Sequence, residues 1–419
     1  MLQELKPDVN ERRLVLKHFR EGTDRAVPPS ATLERALPLM AKLGITRIAN
    51  ITGLDRIGIP VVAVQRPNSR SLSVAQGKGA TLVAAQVSGL MESIESYHAE
   101  HVQLPLLFGS YREIHARQSA VDVKGLPRLS VSCFHPDLPL LWMGGTDLFN
   151  GTQTMVPYEL VHTDFRLPLP TGSGAFVMSS NGLASGNHLT EALSHAVCEL
   201  VERDANTLWH YSGERAQKQR RLDLATVDDA NCRQVLDRFD NAGVDVVAWD
   251  TTSDIGICSF LCTIVDREGH AAWPMLPVSG SGCHPKRAIA LLRALTEAAQ
   301  GRLTLISGSR DDLSEKSFNE ADVRSRCAAF RETISSRMLR RSFHESADED
   351  NNTFDADVQW ELENLARAGI REVIAVNLTN PDVDIPVVRV IIPYLETMSE
   401  LTGFVPGSRA RKALAEAGQ

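Results

Sequence analysis

The sequence predicts an α/β or α+β fold, with large sheets covered by helices, on three observations. Helical and extended patterns alternate along the whole chain. Continuous apolar runs such as "IPVVRVIIP" are of the kind buried on both faces of a sheet. Three segments also share one layout, a Gly-rich turn followed by an amphipathic helix.

In chain order, "SATLERALPLMAKLGI" carries a helical period, and "TRIANITGLDRIGIPVVAVQRP" reads as strands around a Gly-rich turn. Residues 127–142 predict a hairpin, and "TMVPYELVH" extends that pattern. The polar, acidic stretch 341–357, "RSFHESADEDNNTFDAD", reads as a mobile surface loop. Next come a helix, "VQWELENLARAGI", and two apolar strands, "REVIAVNLT" and "IPVVRVIIP".

The chain has 419 residues, 43% hydrophobic and 23% charged, the balance of an ordinary globular protein with ample core. A net charge of −8 argues against a sequence-independent grip on nucleic acid or on an anionic membrane. No apolar run approaches the ~18 residues that span a bilayer, and the N-terminus is too charged for a signal peptide. The seven scattered cysteines contain no CxxC pair, which fits a reduced, cytoplasmic setting. Cys258 and Cys262 fall in an apolar strand run and read as packed thiols.

The three repeated segments are "GKGATLVAAQVSGLMESIESYHAE", "GNHLTEALSHAVCELVERDA" and "GSGCHPKRAIALLRALTEAAQGRL". Glu92 and Glu199 each lie 13 residues beyond a glycine, Gly79 and Gly186, and Glu297 lies 15 beyond Gly282. On each helix a triplet at i, i+4, i+7 shares one face: Ser88/Glu92/Glu95, His195/Glu199/Glu202 and Arg293/Glu297/Gln300. With Glu191, six carboxylates would crowd together if the helices converge, offset by Arg203 and Arg293. Divalent ions would fill that deficit, and an all-oxygen donor set selects a hard ion such as Mg²⁺, for which a nucleoside triphosphate is the natural companion. A single ExxE pair is most often a solvated helix face, so spacing alone leaves both readings open. "AQGKGA" is no Walker A loop, and there is no GxSxG elbow. His195, Cys198 and Glu202 read better as a satisfied His and a packed Cys than as zinc ligands, and Cys283 as a structural thiol.

Taken together, "TGLDRIGIPV", "GKGAT", "SGLMESIES", "SNGLASGN…EALSHAVCELVERD", "RALTEAAQGR" and "IPVVRVIIPYLE" resemble the YcaO family, from about residue 24 to residue 396. The resemblance implies a non-Walker ATP-binding fold of packed sheets and helices. Residues 61–400 would form the catalytic domain, 1–60 an N-terminal segment packed on it, and 401–419 a C-terminal tail, in a homodimer. It implies ATP and Mg²⁺ as cofactors and activation of a backbone amide in a peptide or protein. By position, Glu92, Glu95, Glu199 and Glu202 match the acids that hold Mg²⁺. Ser88, Asn187, Glu191, Arg203 and Gln300 match polar positions around the nucleotide, and Lys78, Arg293 and Glu297 are placed there by motif context. The first helix departs from the family's ExxER, with Ser96 after Glu95, so a phosphate-side cation is expected from elsewhere, Arg66 or Arg70 being candidates.

In the implied reaction a nucleophile adds to the amide carbon, the oxyanion takes the γ-phosphoryl group, and phosphate departs with the amide oxygen. Azoline-forming relatives often end in a Pro-rich PxPxP tail, whereas this chain ends "VPGSRARKALAEAGQ". That ending resembles the members that make thioamides from a sulfur donor with a TfuA-like partner. An azoline-forming cyclodehydratase and a non-catalytic nucleotide-binding accessory protein are the alternatives. No peptide-recognition domain is evident at either end, so binding of a leader peptide is expected of a partner or a groove.

Overall fold

The computed structural model describes residues 14–268, 275–308, 319–335, 340–397 and 402–418. From the N-terminus the elements are α1 (Pro29–Ala36), β1 (Arg47–Asn50), β2 (Val61–Gln65), β3 (Val74–Lys78), α2 (Leu82–Glu100), β4 (Leu106–Ser110) and α3 (Tyr111–Arg117). Then follow β5 (Pro139–Asp147), β6 (Gln153–Pro157), β7 (Leu183–Ser185), α4 (Leu189–Tyr211), α5 (Gly213–Gln219), β8 (Leu222–Asp223) and α6 (Ala230–Asn241). The remainder comprises β9 (Val244–Asp250), β10 (Ser259–Asp266), β11 (Val278–Cys283), α7 (Arg287–Ser307), α8 (Glu320–Ser335), β12 (Arg341–Ser342), α9 (Phe354–Arg367), β13 (Ile374–Asn377), β14 (Val387–Ile391) and α10 (Ser408–Ala417).

Three antiparallel sheets carry the fold. The first has the order β1-β2-β3, and the second the order β9-β10-β11. The third and largest runs β4-β5-β13-β14-β7, with β6 added against β5. Strands β8 and β12 form a short parallel pair. The mixed α/β expectation therefore holds, and the antiparallel pairing places the fold at the α+β end. Strands β13 and β14 are almost wholly buried, as their apolar runs predict, because α2 packs on one face of this sheet and α4 with α9 on the other.

The pseudo-repeat becomes a strand–turn–helix unit: β3–α2, β7–α4 and β11–α7. Its glycines bring backbones into contact. A Cβ on Gly77 would lie 2.0 Å from the Ala85 carbonyl oxygen, and one on Gly282 would lie 2.1 Å from that of Ala290. Only glycine lets strand and helix approach so closely. Helix α2 starts where the Thr81 side chain accepts from the Ala84 N–H, satisfying an otherwise unpaired donor. Helix α7 ends at Gly308 in the left-handed region, φ 55°.

Three expectations need correction. Residues 127–138 form no strand, because β5 begins at Pro139 and takes its hairpin partner from β6. The acidic stretch 341–357 is packed: it contains β12 and the start of α9, and Phe343, Phe354 and Asp357 are buried. Its charges serve as partners, since Asp357 faces Lys17 at 2.6 Å, and Lys17 also reaches Asp24 at 2.8 Å. The predicted helix at 30–45 is shorter, with α1 giving way to a 3₁₀ turn at Leu37–Leu39, where Pro38 breaks the hydrogen-bond pattern. Cys262 within β10 and Cys258 just before it are both fully buried, as expected.

Candidate functional site

Helices α2, α4 and α7 carry the three polar triplets, and the strands preceding α4 and α7 receive them. Ser185, at the end of β7, donates its backbone N–H (2.8 Å) and its hydroxyl (2.7 Å) to Glu95 on α2. Ser281, on β11, donates its N–H to Glu297 of α7 (3.1 Å), and its hydroxyl lies 2.8 Å from Glu202 of α4 and 3.2 Å from Glu297. Lys78, closing β3, reaches the other Glu297 oxygen at 2.7 Å. Side chains from all three repeats thus meet at the strand–helix turns.

Other predicted residues surround this cluster. Arg203 stands 4.0 Å from Glu199, one turn along α4. Arg293 donates to Nε2 of His195 at 2.5 Å. Glu191 is buried in the first turn of α4, where it accepts from the Ala26 N–H (3.2 Å) and faces Arg25 (3.6 Å) and the Asn187 amide (3.4 Å). The Asn187 carbonyl oxygen in turn accepts from Thr32 at 2.9 Å. Gln300 is committed to the Gln76 carbonyl (2.7 Å), tying α7 to β3. Ser88 is half-buried on α2, and Glu92, one turn on, is exposed.

The electrostatics record an excess of negative charge. Burial, with Glu92 and Glu199 adding repulsion, pushes the Glu95 carboxyl up to about 8 despite its bonds to Ser185. Burial and Glu202 raise Glu199 to about 7 against the pull of Arg203, Arg389 and Arg293. Glu297 goes the other way: burial opposes its charge, but Lys78 and then Arg203 hold it low. His195 is held well below the usual imidazole range by burial and by Arg293, so its Nε2 is the acceptor of a neutral ring.

The donor set fits a hard divalent ion. One Ser281 hydroxyl has one proton for two carboxylates, so Glu202 and Glu297 cannot both be satisfied by it. Glu95 and Glu199 retain protons near neutrality that a cation would displace. Among the described residues no three His, Cys, Asp or Glu side chains form a ready-made metal cage. Glu95, Glu199, Glu202 and Glu297 supply the carboxylates of this cluster, and Lys78, Arg203 and Arg293 its cations.

The other motifs resolve without catalytic roles. The Cys198 thiol donates to Glu361 (3.4 Å) deep in the core, and Cys283 is buried beside it, its thiol pushed up by burial. Arg66 and Arg70 do not face the cluster. Arg66 grips Glu100 through two nitrogens, at 2.6 and 2.7 Å, and Arg70 reaches the Glu100 carbonyl and Asp164. Glu100 ends α2, more than a turn beyond Glu95, so both arginines serve that helix end. The residue missed by sequence reasoning is Arg389, 2% exposed on β14 and within the electrostatic reach of Glu199. Its signal was present as the single charge in the apolar run "IPVVRVIIP".

The fold has counterparts among known proteins. A family model described as YcaO cyclodehydratase, ATP- and Mg²⁺-binding, matches residues 76–396. A protein in the tfuA 3′ region of Rhizobium leguminosarum bv. trifolii is 37% identical over 390 residues, 89% of each chain. The YcaO of Methanopyrus kandleri bound with AMPPCP and Mg²⁺ superimposes with a TM-score of 0.69 at 21% identity, covering 94% of this chain and all of that one. A heterocyclase in complex with substrate and cofactor gives a TM-score of 0.73 at 21% identity, covering 92% of this chain. This chain spans about half of that heterocyclase, 54%. At these identities the two structures share the fold, whereas the family match and the long relative extend to sequence. The chain therefore belongs to the YcaO family, whose members bind ATP and Mg²⁺.

Proposed function

We propose that this protein uses ATP and Mg²⁺ to activate a backbone amide of a ribosomally made peptide or protein, giving a thioamide with a sulfur donor and a TfuA-like partner. The observation that carries the thioamide reading is the relative in the tfuA 3′ region, aligned along 89% of both chains. The nucleotide reading is supported by the buried acids Glu95 of α2 and Glu199 of α4, whose affinity for protons is raised, together with Glu297 of α7, held low beside Lys78. In it, Glu92, Glu95, Glu199 and Glu202 hold Mg²⁺. Lys78, Ser88, Asn187, Glu191, Arg203, Arg293, Glu297 and Gln300 line the nucleotide.

Bound ATP supplies the phosphoryl group that makes an amide oxygen a leaving group. The chain's own task is to position and to balance charge. Ser185 and Ser281 fix the Glu95, Glu202 and Glu297 carboxylates by hydrogen bonds, so little reorganisation remains when cations enter. Burial and then Arg293 keep the His195 ring neutral, and the Arg293 hydrogen bond orients it. No side-chain nucleophile is required, which agrees with the inert, buried Cys198 and Cys283. We assign the catalytic unit to residues 61–400 and expect a homodimer in the reducing cytoplasm, consistent with seven unpaired cysteines.

The test is incubation with ATP, Mg²⁺, sulfide, the TfuA-like partner and its peptide, followed by mass spectrometry. Exchange of oxygen for sulfur is the expected result. Loss of one water would instead make the protein an azoline-forming cyclodehydratase, and nucleotide binding without peptide-stimulated phosphate release an accessory protein.

A further inference from the structure

Helix α2 brings two carboxylates to the cluster and no cation, because Ser96 follows Glu95 and spends its hydroxyl on the Glu92 carbonyl at 3.1 Å. An arginine enters the same region from the sheet. On β14 the side chains of Val387, Arg389 and Ile391 share one face, and those of Val388 and Val390 the other. Val387 and Ile391 pack with Leu90, Met91 and Ile94 of α2, whereas Val388 and Val390 pack with α4. Arg389 therefore lies on the α2 side. In the β14–β7 register Val387 stands opposite Ser185, the residue that anchors Glu95. Arg389 is thus one same-face position from that anchor, while its electrostatic partner is Glu199 on α4.

Arg389 is 2% exposed, yet incompletely bonded. Its Nη2 donates to the Ser179 carbonyl at 2.6 Å, and its Nε and Nη1 have no hydrogen-bond partner among the described residues. A buried guanidinium with two idle nitrogens is costly unless a ligand completes it. Were Arg389 only a counter-ion, it would close on Glu199, but among the described residues the two form no ion pair.

We propose that Arg389 is a phosphate-binding residue, its two idle nitrogens receiving oxygens of the Mg²⁺-bound polyphosphate and supplying the cation that Ser96 leaves out. This rests on the nucleotide reading above. Arginine suits the task because it stays charged when buried and presents several donors in one plane.

The experiment measures binding of ATP·Mg²⁺, tripolyphosphate·Mg²⁺ and adenosine to the full chain by calorimetry, with adenosine read by competition. In Arg389→Met, ATP and tripolyphosphate should each weaken roughly 10–100-fold, the loss of charge-assisted hydrogen bonds, while adenosine stays within about twofold of wild type. Unchanged ATP affinity would overturn the proposal. So would a parallel fall in adenosine affinity, which marks a structural role. Should Arg389→Met fail to fold, Arg389→Gln keeps a donor without the charge and is read by the same two outcomes. If wild-type protein binds neither ATP nor tripolyphosphate, the nucleotide reading itself fails, and that arm contains no variant.

Discussion

Replacing Glu199 by glutamine removes one negative charge from the cluster with little change of shape. The Glu199 side chain is 20% exposed, and its carboxyl rises from 4.5 to about 7, chiefly through burial. That difference is worth about 3 kcal/mol. Below pH 4.5 both folded and unfolded chains hold the proton, so the group contributes nothing. Between 4.5 and about 7 the unfolded chain ionises first, and stability falls as pH rises. Above about 7 the full penalty is present. Glu199→Gln mimics the protonated state, so at pH 8 the metal-free variant should be more stable than wild type by about 3 kcal/mol, and at pH 5 by less than about 1 kcal/mol. Pull from Arg203 and Arg389 is already contained in that balance. Urea titrations at the two pH values give the first readout. The second is stabilisation by ATP·Mg²⁺, which at 100 times Kd adds about 2.7 kcal/mol to wild type and should add little to the variant. A variant less stable than wild type at pH 8, or one stabilised equally by ATP·Mg²⁺, would refute the reasoning.

Three further outcomes follow from the same geometry. Mg²⁺ affinity should fall as pH drops from 8 to 6, because Glu95 and Glu199 must lose protons to coordinate it, and calorimetry in buffers of different ionisation enthalpy should show proton release. Lys17→Met leaves Asp24 and Asp357 buried without their cation and should cost about 3–5 kcal/mol in urea titrations. Gly77→Ala sets a methyl group against helix backbone at 2.0 Å, so the strand–helix contact of the first repeat cannot form. Soluble yield and thermal midpoint should both drop, whereas Gly53→Ala, with open space around it, should leave them unchanged.

Much of the site's content is local and was legible in the sequence. The i, i+4, i+7 spacing fixes which side chains share a helix face, whatever the helix packs against. Hence the Glu199/Glu202 and Glu92/Glu95 pairs, and the Gly-rich turns before them, emerged from spacing and were matched to roles by resemblance. Arg389 did not, because a lone arginine in an apolar strand has no periodic partner, and its meaning depends on β14 lying beside β7. Arg66 and Arg70 are candidate phosphate cations by sequence, but Glu100 occupies both. The 341–357 stretch misled for a similar reason: composition counts charges as solvated, but Asp357 has a buried lysine more than three hundred residues away.

The sequence by itself determined the helices, the buried strands and the glycines that join them, because those follow from neighbours a few residues apart. Tertiary structure alone decided which carboxylate receives which hydroxyl, which arginines face the acids and which acids keep their protons. Those properties depend on through-space distance and burial, which a linear order of residues does not contain.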